Sequence, residues 1–246
     1  MNPKTDEPVS REIKQNITEE LRDGRRTAIH PLLTVAGLGP GHPDYILPKV
    51  LKLCQEADVL VSGERHLESL RQVFGENWRP EDHILLGSGR PLAESFEDIR
   101  AALGKGCRTV ILVSGDTGYY SMLGYIRRRL PEEPMTVVPG ISSLQYFFAA
   151  LGMSWEDAHM MSLHGREQDL AGALEDGRPV GLLTDGEHGT AWIARQMIGK
   201  YPDRRIYTGE NLSYPEEKIC SHLPAEALEY QEEGMAVVII AGKSST

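Results

Sequence analysis

The chain has 246 residues, a formal net charge of −10 and 40% hydrophobic residues, an ordinary globular composition. The acidic balance argues against a nucleic-acid-binding surface, which carries a basic excess, and no apolar run approaches the roughly 18 residues of a membrane span. The three cysteines, Cys54, Cys107 and Cys220, are dispersed and form no C-x-x-C pair. That spacing argues against zinc and fits free thiols in a reducing cytoplasm.

Residues 1–30 are rich in charge and read as a polar extension. Within them Ile13, Ile17 and Leu21 recur at four-residue spacing, one narrow amphipathic stripe. From Leu32 a βα rhythm begins. Strands are expected near 32–37, 58–62, 82–86, 109–113 and 135–138, with helices near 45–56, 65–74, 92–104 and 119–130. Val110-Ile111-Leu112-Val113 is continuously apolar, as a buried parallel strand is. Such alternation implies a parallel sheet flanked by helices.

After Pro139-Gly140 the rhythm changes. A helix is expected over Ser142–Leu151, then strands near 159–163, 179–184, 205–207, 217–221 and 235–241 and helices near 167–175 and 188–199. The last connections are short and carry Pro202, Pro215 and Pro224, which suits a mixed sheet. The expected architecture is α/β, with an N-terminal domain over 31–139 and a C-terminal domain over 140–246.

Three strand ends carry glycine. The first runs into Gly37-Leu38-Gly39-Pro40-Gly41, the fourth into Ser114-Gly115-Asp116-Thr117-Gly118-Tyr119-Tyr120-Ser121, and the fifth into Pro139-Gly140-Ile141-Ser142-Ser143. Each alone reads equally well as a tight strand-to-helix corner, with Asp116 and Ser142 as helix caps. Together they open on one edge of a parallel sheet, where ligands bind. The first turn departs from the dinucleotide pattern G-x-G-x-x-G because His42 stands at the last glycine, and Pro40 removes an amide donor. In the second half, Ser162-Leu163-His164-Gly165-Arg166 follows a strand, and His164 and Arg166 are candidates to meet an anion. His159, His164 and His188 lack a metal-ligand spacing.

The ordered set of turns resembles the tetrapyrrole methylases, the class III S-adenosylmethionine-dependent methyltransferases, from about Leu32 to Gly242. Val61-Ser62-Gly63-Glu64-Arg65-His66-Leu67, the Ser114–Ser121 turn and the Ser162–Arg166 turn are similar to the precorrin-7 (cobalt-precorrin-7) carbon-5 methyltransferases of cobalamin synthesis. The chain departs from the family pattern at His42, in Ile46-Leu47-Pro48, and at Thr117, where the family has aspartate, threonine and proline.

The resemblance implies a cleft between the two domains that holds a folded S-adenosylmethionine and releases S-adenosylhomocysteine. By motif position, Gly39, Pro40, Gly41, Gly115, Asp116, Thr117, Tyr120, Ser142 and Ser143 should touch it, with Thr184, Asp185, Asn211 and Leu212 as further candidates. Arg65, His66, Arg90, His164 and Arg166 are candidate cations for the carboxylates of a corrinoid. No residue is singled out as a catalytic base, because the reaction asks chiefly for positioning and exclusion of water. The resemblance also implies a homodimer and a separate carbon-15 methyltransferase/decarboxylase subunit. Alternatives are a diphthine synthase-like or other class III methyltransferase, a nicotinamide-dependent oxidoreductase, and a binding module without catalysis.

Overall fold

The computed structural model describes residues 31–87, 89–163 and 169–243. The expected extension with Ile13, Ile17 and Leu21 lies outside the described residues, as do His164, Gly165 and Arg166.

The first sheet contains β1 (Leu33–Gly37), β2 (Val59–Ser62), β3 (His83–Leu85), β4 (Thr109–Val113) and β5 (Met135–Val138). Their order is β3-β2-β4-β1-β5, and every neighbouring pair is parallel. Between them run α1 (Pro48–Glu56), α2 (Glu64–Phe74), α3 (Leu92–Gly104) and α4 (Leu123–Arg129). β1 and β4 are buried at every position, because apolar side chains cover both faces. With the period of two, Leu33, Val35, Ile111 and Val113 cluster with Phe96, Ile99 and Ile126. Ala36, Val110 and Leu112 point the other way and cluster with Val50, Cys54 and Leu70. Fully burying a side chain such as Leu33 or Ile111 contributes about 1.5–3 kcal/mol.

The second sheet is mixed. It contains β6 (His159–Ser162), β7 (Val180–Leu183), β8 (Ile206–Glu210), β9 (Lys218–His222) and β10 (Ala236–Ile240), in the order β6-β7-β10-β8-β9. Only β6 and β7 run parallel; the other pairs are antiparallel. Val238 and Ile240 face a core that includes Ile193 and Met197 of α7 (Thr190–Met197) and Leu174 of α6 (Leu170–Glu175). Val237 and Ile239 face Leu144, Phe147 and Phe148 of α5 (Ser143–Ala150). Thus the helix that follows the last strand of the first sheet packs on the second sheet, and the turn from Pro139 to Ser142 is the corner between them.

Two of the helices expected in the first half differ in their starts. The one expected from residue 45 is a 3-10 turn, Pro43–Tyr45, followed by α1. Pro48 forces Leu47 into an extended conformation, with φ −61° and ψ 136°. The one expected from residue 119 begins at Leu123, and its flanking residue is Met122 rather than Asp116. Tyr120 takes φ +47°, a left-handed backbone that no helix continues through, and the Asp116 carboxylate is engaged elsewhere. Ser142 does cap α5: its Oγ accepts the Gln145 N–H at 3.1 Å, and Gln145 Oε1 accepts the Ser142 N–H at 2.9 Å.

The corner tolerates no side chain at Gly140. A Cβ there would stand 2.2 Å from the Gly115 carbonyl oxygen and 2.8 Å from the Gly37 carbonyl carbon. Gly140→Ala is therefore expected to cost about 1–3 kcal/mol or more. By contrast, Gly104→Ala, where a Cβ meets nothing within 4 Å at the end of α3, is expected to be neutral or to stabilise by up to about 1 kcal/mol. Urea unfolding midpoints of the two variants check the contrast.

Candidate functional site

The carboxyl ends of β4, β1 and β5 are neighbours in the first sheet, so their three turns meet. The contact is main chain on main chain. Gly39 and Gly115 exchange two hydrogen bonds, of 3.2 and 2.9 Å. Asp116 joins the second turn to the third: Oδ1 accepts the Gly118 N–H at 2.8 Å and Oδ2 accepts the Gly140 N–H at 3.1 Å. A Cβ at Gly37 would come within 2.5 Å of the Gly115 oxygen and 2.7 Å of the Gly140 nitrogen.

These turns form one wall of a cavity of about 880 Å³, toward the upper end of small-molecule sites, which span about 300–1,000 Å³. Gly39, Pro40, Gly41, Gly115, Asp116, Tyr120, Ser142 and Ser143 all line it. The opposite wall comes from the second sheet: Leu183 at the end of β7 with Thr184 and Asp185, Leu212 and Tyr214 after β8, and Glu232, Gly234 and Met235 leading into Ala236 and Val237 of β10. The loop after β1 docks on the loop after β8. The His42 N–H donates to Ser213 Oγ at 2.9 Å, and a Cβ at Gly41 would lie 2.3 Å from the Tyr214 ring. His42 also takes over a carboxylate's local work, since its Nδ1 accepts the Asp44 N–H at 3.2 Å and caps the 3-10 turn.

Two of the expected residues stand apart from this cavity. Thr117 is buried and lines a smaller adjoining space of about 330 Å³, which it shares with Tyr120. The Asn211 N–H donates to the Met235 carbonyl at 2.9 Å, and its side chain lies against Gly234. It shapes the loop rather than facing the cavity. Thr184 donates its hydroxyl to the Ala236 carbonyl at 2.6 Å, and Asp185 Oδ1 accepts the N–H groups of Glu187 and His188. Both hold the second wall in place.

The expected cations separate into three groups. Arg65 and His66, at the start of α2, line the cavity beside Ser69 and Ser114. Arg90 lies outside the cavity lining, and its guanidinium pairs with Glu94 at 3.0 Å and Asp98 at 2.5 Å. His164 and Arg166 fall outside the described residues. His66 is not a cation. Burial first, and the adjoining Arg65 guanidinium second, lower its pKa to about 4, so the ring is neutral at pH 7. Geometry agrees. The Gly63 N–H points at Nδ1 across 3.4 Å, while Nε2 lies 2.9 Å from Ser114 Oγ. A neutral ring with its proton on Nε2 satisfies both contacts.

Sequence reasoning missed Ser114, Ser69, Tyr119, and Glu232 with the stretch from Gly234 to Val237. Ser114 directly precedes the second glycine and was overshadowed by it. The last stretch is marked only by Gly234, in a segment without periodicity. Among the described residues no His, Cys, Asp or Glu cluster could hold a metal ion, and no helix is long and apolar enough to cross a membrane.

Residues 32–229 match the family described as Tetrapyrrole (Corrin/Porphyrin) Methylases. The cobalt-precorrin-7 C(5)-methyltransferase of Salmonella typhimurium is 31% identical over 210 residues, covering 85% of this chain and 98% of that protein. The decarboxylating precorrin-6Y C(5,15)-methyltransferase of a Sinorhizobium species is 28% identical over 80% of this chain and 46% of that protein. Among solved structures, a uroporphyrin-III C-methyl transferase from Thermus thermophilus complexed with S-adenosylhomocysteine superposes with a TM-score of 0.68. It is 20% identical and is matched over 85% of this chain and 96% of its own. The match runs from the first strand of one sheet to the loop before the last strand of the other, and the chain belongs to the tetrapyrrole (corrin/porphyrin) methylases.

Proposed function

We propose that this chain transfers a methyl group from S-adenosylmethionine to carbon 5 of precorrin-7 or cobalt-precorrin-7, in cobalamin biosynthesis. The observation that carries this reading is the junction of three glycine turns and a second-sheet wall around one cavity, in a chain that aligns with 98% of a cobalt-precorrin-7 C(5)-methyltransferase. The residues present fit the methyl donor. Gly37 and Gly140 let the three turns pack main chain on main chain behind the cavity wall, and Ser142, Ser143 and Thr184 line the cavity together with the apolar Leu183, Leu212 and Val237. Gly39, Pro40, Gly41, Gly115, Asp116, Tyr120, Ser142 and Ser143 would hold it from the first sheet, and Thr184, Asp185 and Leu212 from the second. Thr117 and Asn211 would act by shaping the two loops.

When bound, the donor supplies a methyl group on a sulfonium, reactive toward an electron-rich ring carbon. The protein's share is to fix the two reactants in line and keep water out, which can account for about 7–11 kcal/mol of barrier lowering. Arg65 would meet the substrate's carboxylates, and Arg166 and His164 remain candidates for the same work. Neutral His66 would contribute polarity rather than charge.

The chain division proposed is 31–139 and 140–246, at the Pro139 corner. A homodimer and a separate carbon-15 partner are part of the proposal. The Sinorhizobium relative, whose name couples carbons 5 and 15 and of which this chain spans under half, supports the partner. Three free cysteines suit the cytoplasm.

Incubation with methyl-labelled S-adenosylmethionine and cobalt-precorrin-7 is expected to give a corrinoid carrying one added label, read by mass spectrometry. Transfer to no corrinoid, or labelling at a different ring carbon, would contradict the reading. Asp116→Asn offers one acceptor oxygen where the native carboxylate uses two, so either Gly118 or Gly140 loses its partner. The variant is expected to lose about 1–3 kcal/mol of stability and roughly tenfold in S-adenosylmethionine affinity, measured by thermal melting and calorimetry.

A further inference from the structure

Arg65 occupies the first turn of α2, where the positive end of the helix dipole disfavours a cation. The other charges of that helix are paired without it: Glu64 and Glu68 both bind Arg71. Across the cavity the Arg65 guanidinium reaches the thioether sulfur of Met235, a weak acceptor. The acids that line the cavity are held by main-chain amides. Asp116 binds those of Gly118 and Gly140, Glu232 that of Thr190, and Asp185 those of Glu187 and His188. The wall therefore presents a cation whose described partner is a poor one.

Ser114 lines the same cavity and is bonded to His66, the next residue in the chain after Arg65. Because the neutral His66 ring receives the Gly63 N–H at Nδ1, its proton sits on Nε2 and is donated to Ser114 Oγ. With its oxygen receiving that proton, the serine keeps its own hydrogen for a second partner. Protonation of His66 would set two N–H groups against each other at Gly63, so the arrangement requires the neutral ring.

We infer that Arg65 and the Ser114 hydroxyl form a carboxylate-binding subsite on the α2 wall of the cavity, with His66 as the positioning residue that aims the hydroxyl. A carboxylate bridging the two gains charge-assisted hydrogen bonds from each. The inference rests on the methyltransferase reading of the cavity. That reading supplies two sources of a carboxylate, the amino-acid end of the methyl donor and the acid side chains of the macrocycle.

The test uses the full chain and four substitutions, Arg65→Met, Ser114→Ala, His66→Gln and His66→Phe. Calorimetry gives the Kd for S-adenosylmethionine, and steady-state kinetics give KM and kcat with cobalt-precorrin-7. Arg65→Met is expected to raise one of the two constants about tenfold or more, and Ser114→Ala to raise the same constant about three- to tenfold, with kcat within threefold. The constant that moves names the source of the carboxylate. Glutamine can accept from Gly63 and donate to Ser114, so His66→Gln should recover most of what His66→Phe loses. Nitrogen-15 NMR of the wild-type imidazole should show the proton on Nε2.

The subsite is overturned if Arg65→Met and Ser114→Ala leave both constants within twofold. It is overturned equally if kcat falls while both constants rise together, or if His66→Gln loses as much as His66→Phe. If the wild type binds the donor yet methylates no corrinoid, the proposed reaction fails. The donor Kd still decides in that case: a tenfold change in Arg65→Met sustains the subsite, and an unchanged value removes it.

Discussion

At the carboxyl edge of the first sheet, Gly37, Gly115 and Gly140 bring three strand ends together with nothing but main chain between them. A methyl group at Gly140 would overlap a carbonyl oxygen at 2.2 Å, far inside van der Waals contact. This close approach lets Gly39 and Gly115 pair through two hydrogen bonds, and it lets one carboxylate, Asp116, reach two different turns. The cavity wall is thereby made of backbone whose position is set by the sheet itself. A wall of this kind needs little reorganisation when a ligand arrives, which is the condition for positioning to contribute to rate.

The second sheet completes the cavity because the corner at Pro139–Ser142 feeds directly into α5, whose Leu144, Phe147 and Phe148 pack against β10 and its neighbours. The segment that closes the first wall also anchors the second. Across the gap, the Arg65 guanidinium meets Met235, and the His42 amide binds Ser213. Polar ties at the margins leave the centre open for ligands. Among the described residues, the carboxylates that line the cavity accept from main-chain amides and Arg65 is a cation in its lining, an arrangement compatible with an anionic substrate despite the acidity of the whole chain.

Much of this was legible in the sequence. The central strands and the parallel-to-mixed change at Pro139 follow from apolar runs punctuated by glycine and proline, since a strand buried on both faces must be continuously apolar, as β1 and β4 are; the edge strand β9 is largely exposed and mixed in composition. The convergence of the three turns followed from placing them after strands of one parallel sheet. Side-chain states were less legible. His66 read as a cation, yet its charge depends on burial and on Arg65, neither of which is a property of the residue type. Arg90 read as a ligand, whereas Glu94 and Asp98 lie on α3 within its reach. Asp116 read as a helix cap or an acceptor toward a ligand; its bond to the amide of Gly140, distant in sequence, was not legible. The wall from Glu232 to Val237 depends on how the last strand inserts between β7 and β8, an ordering that no local pattern encodes.

The central claim is that bare main chain at three strand ends, faced by the second sheet, forms the seat of a sulfonium methyl donor. A crystal structure of the protein grown with S-adenosylhomocysteine tests it most directly. The account predicts the ligand within hydrogen-bond reach of the turns at Gly39, Gly115 and Ser142, with its other side against Thr184 and Leu212. Density for the ligand on any other surface, or a cavity that holds only solvent at saturating ligand, would contradict it.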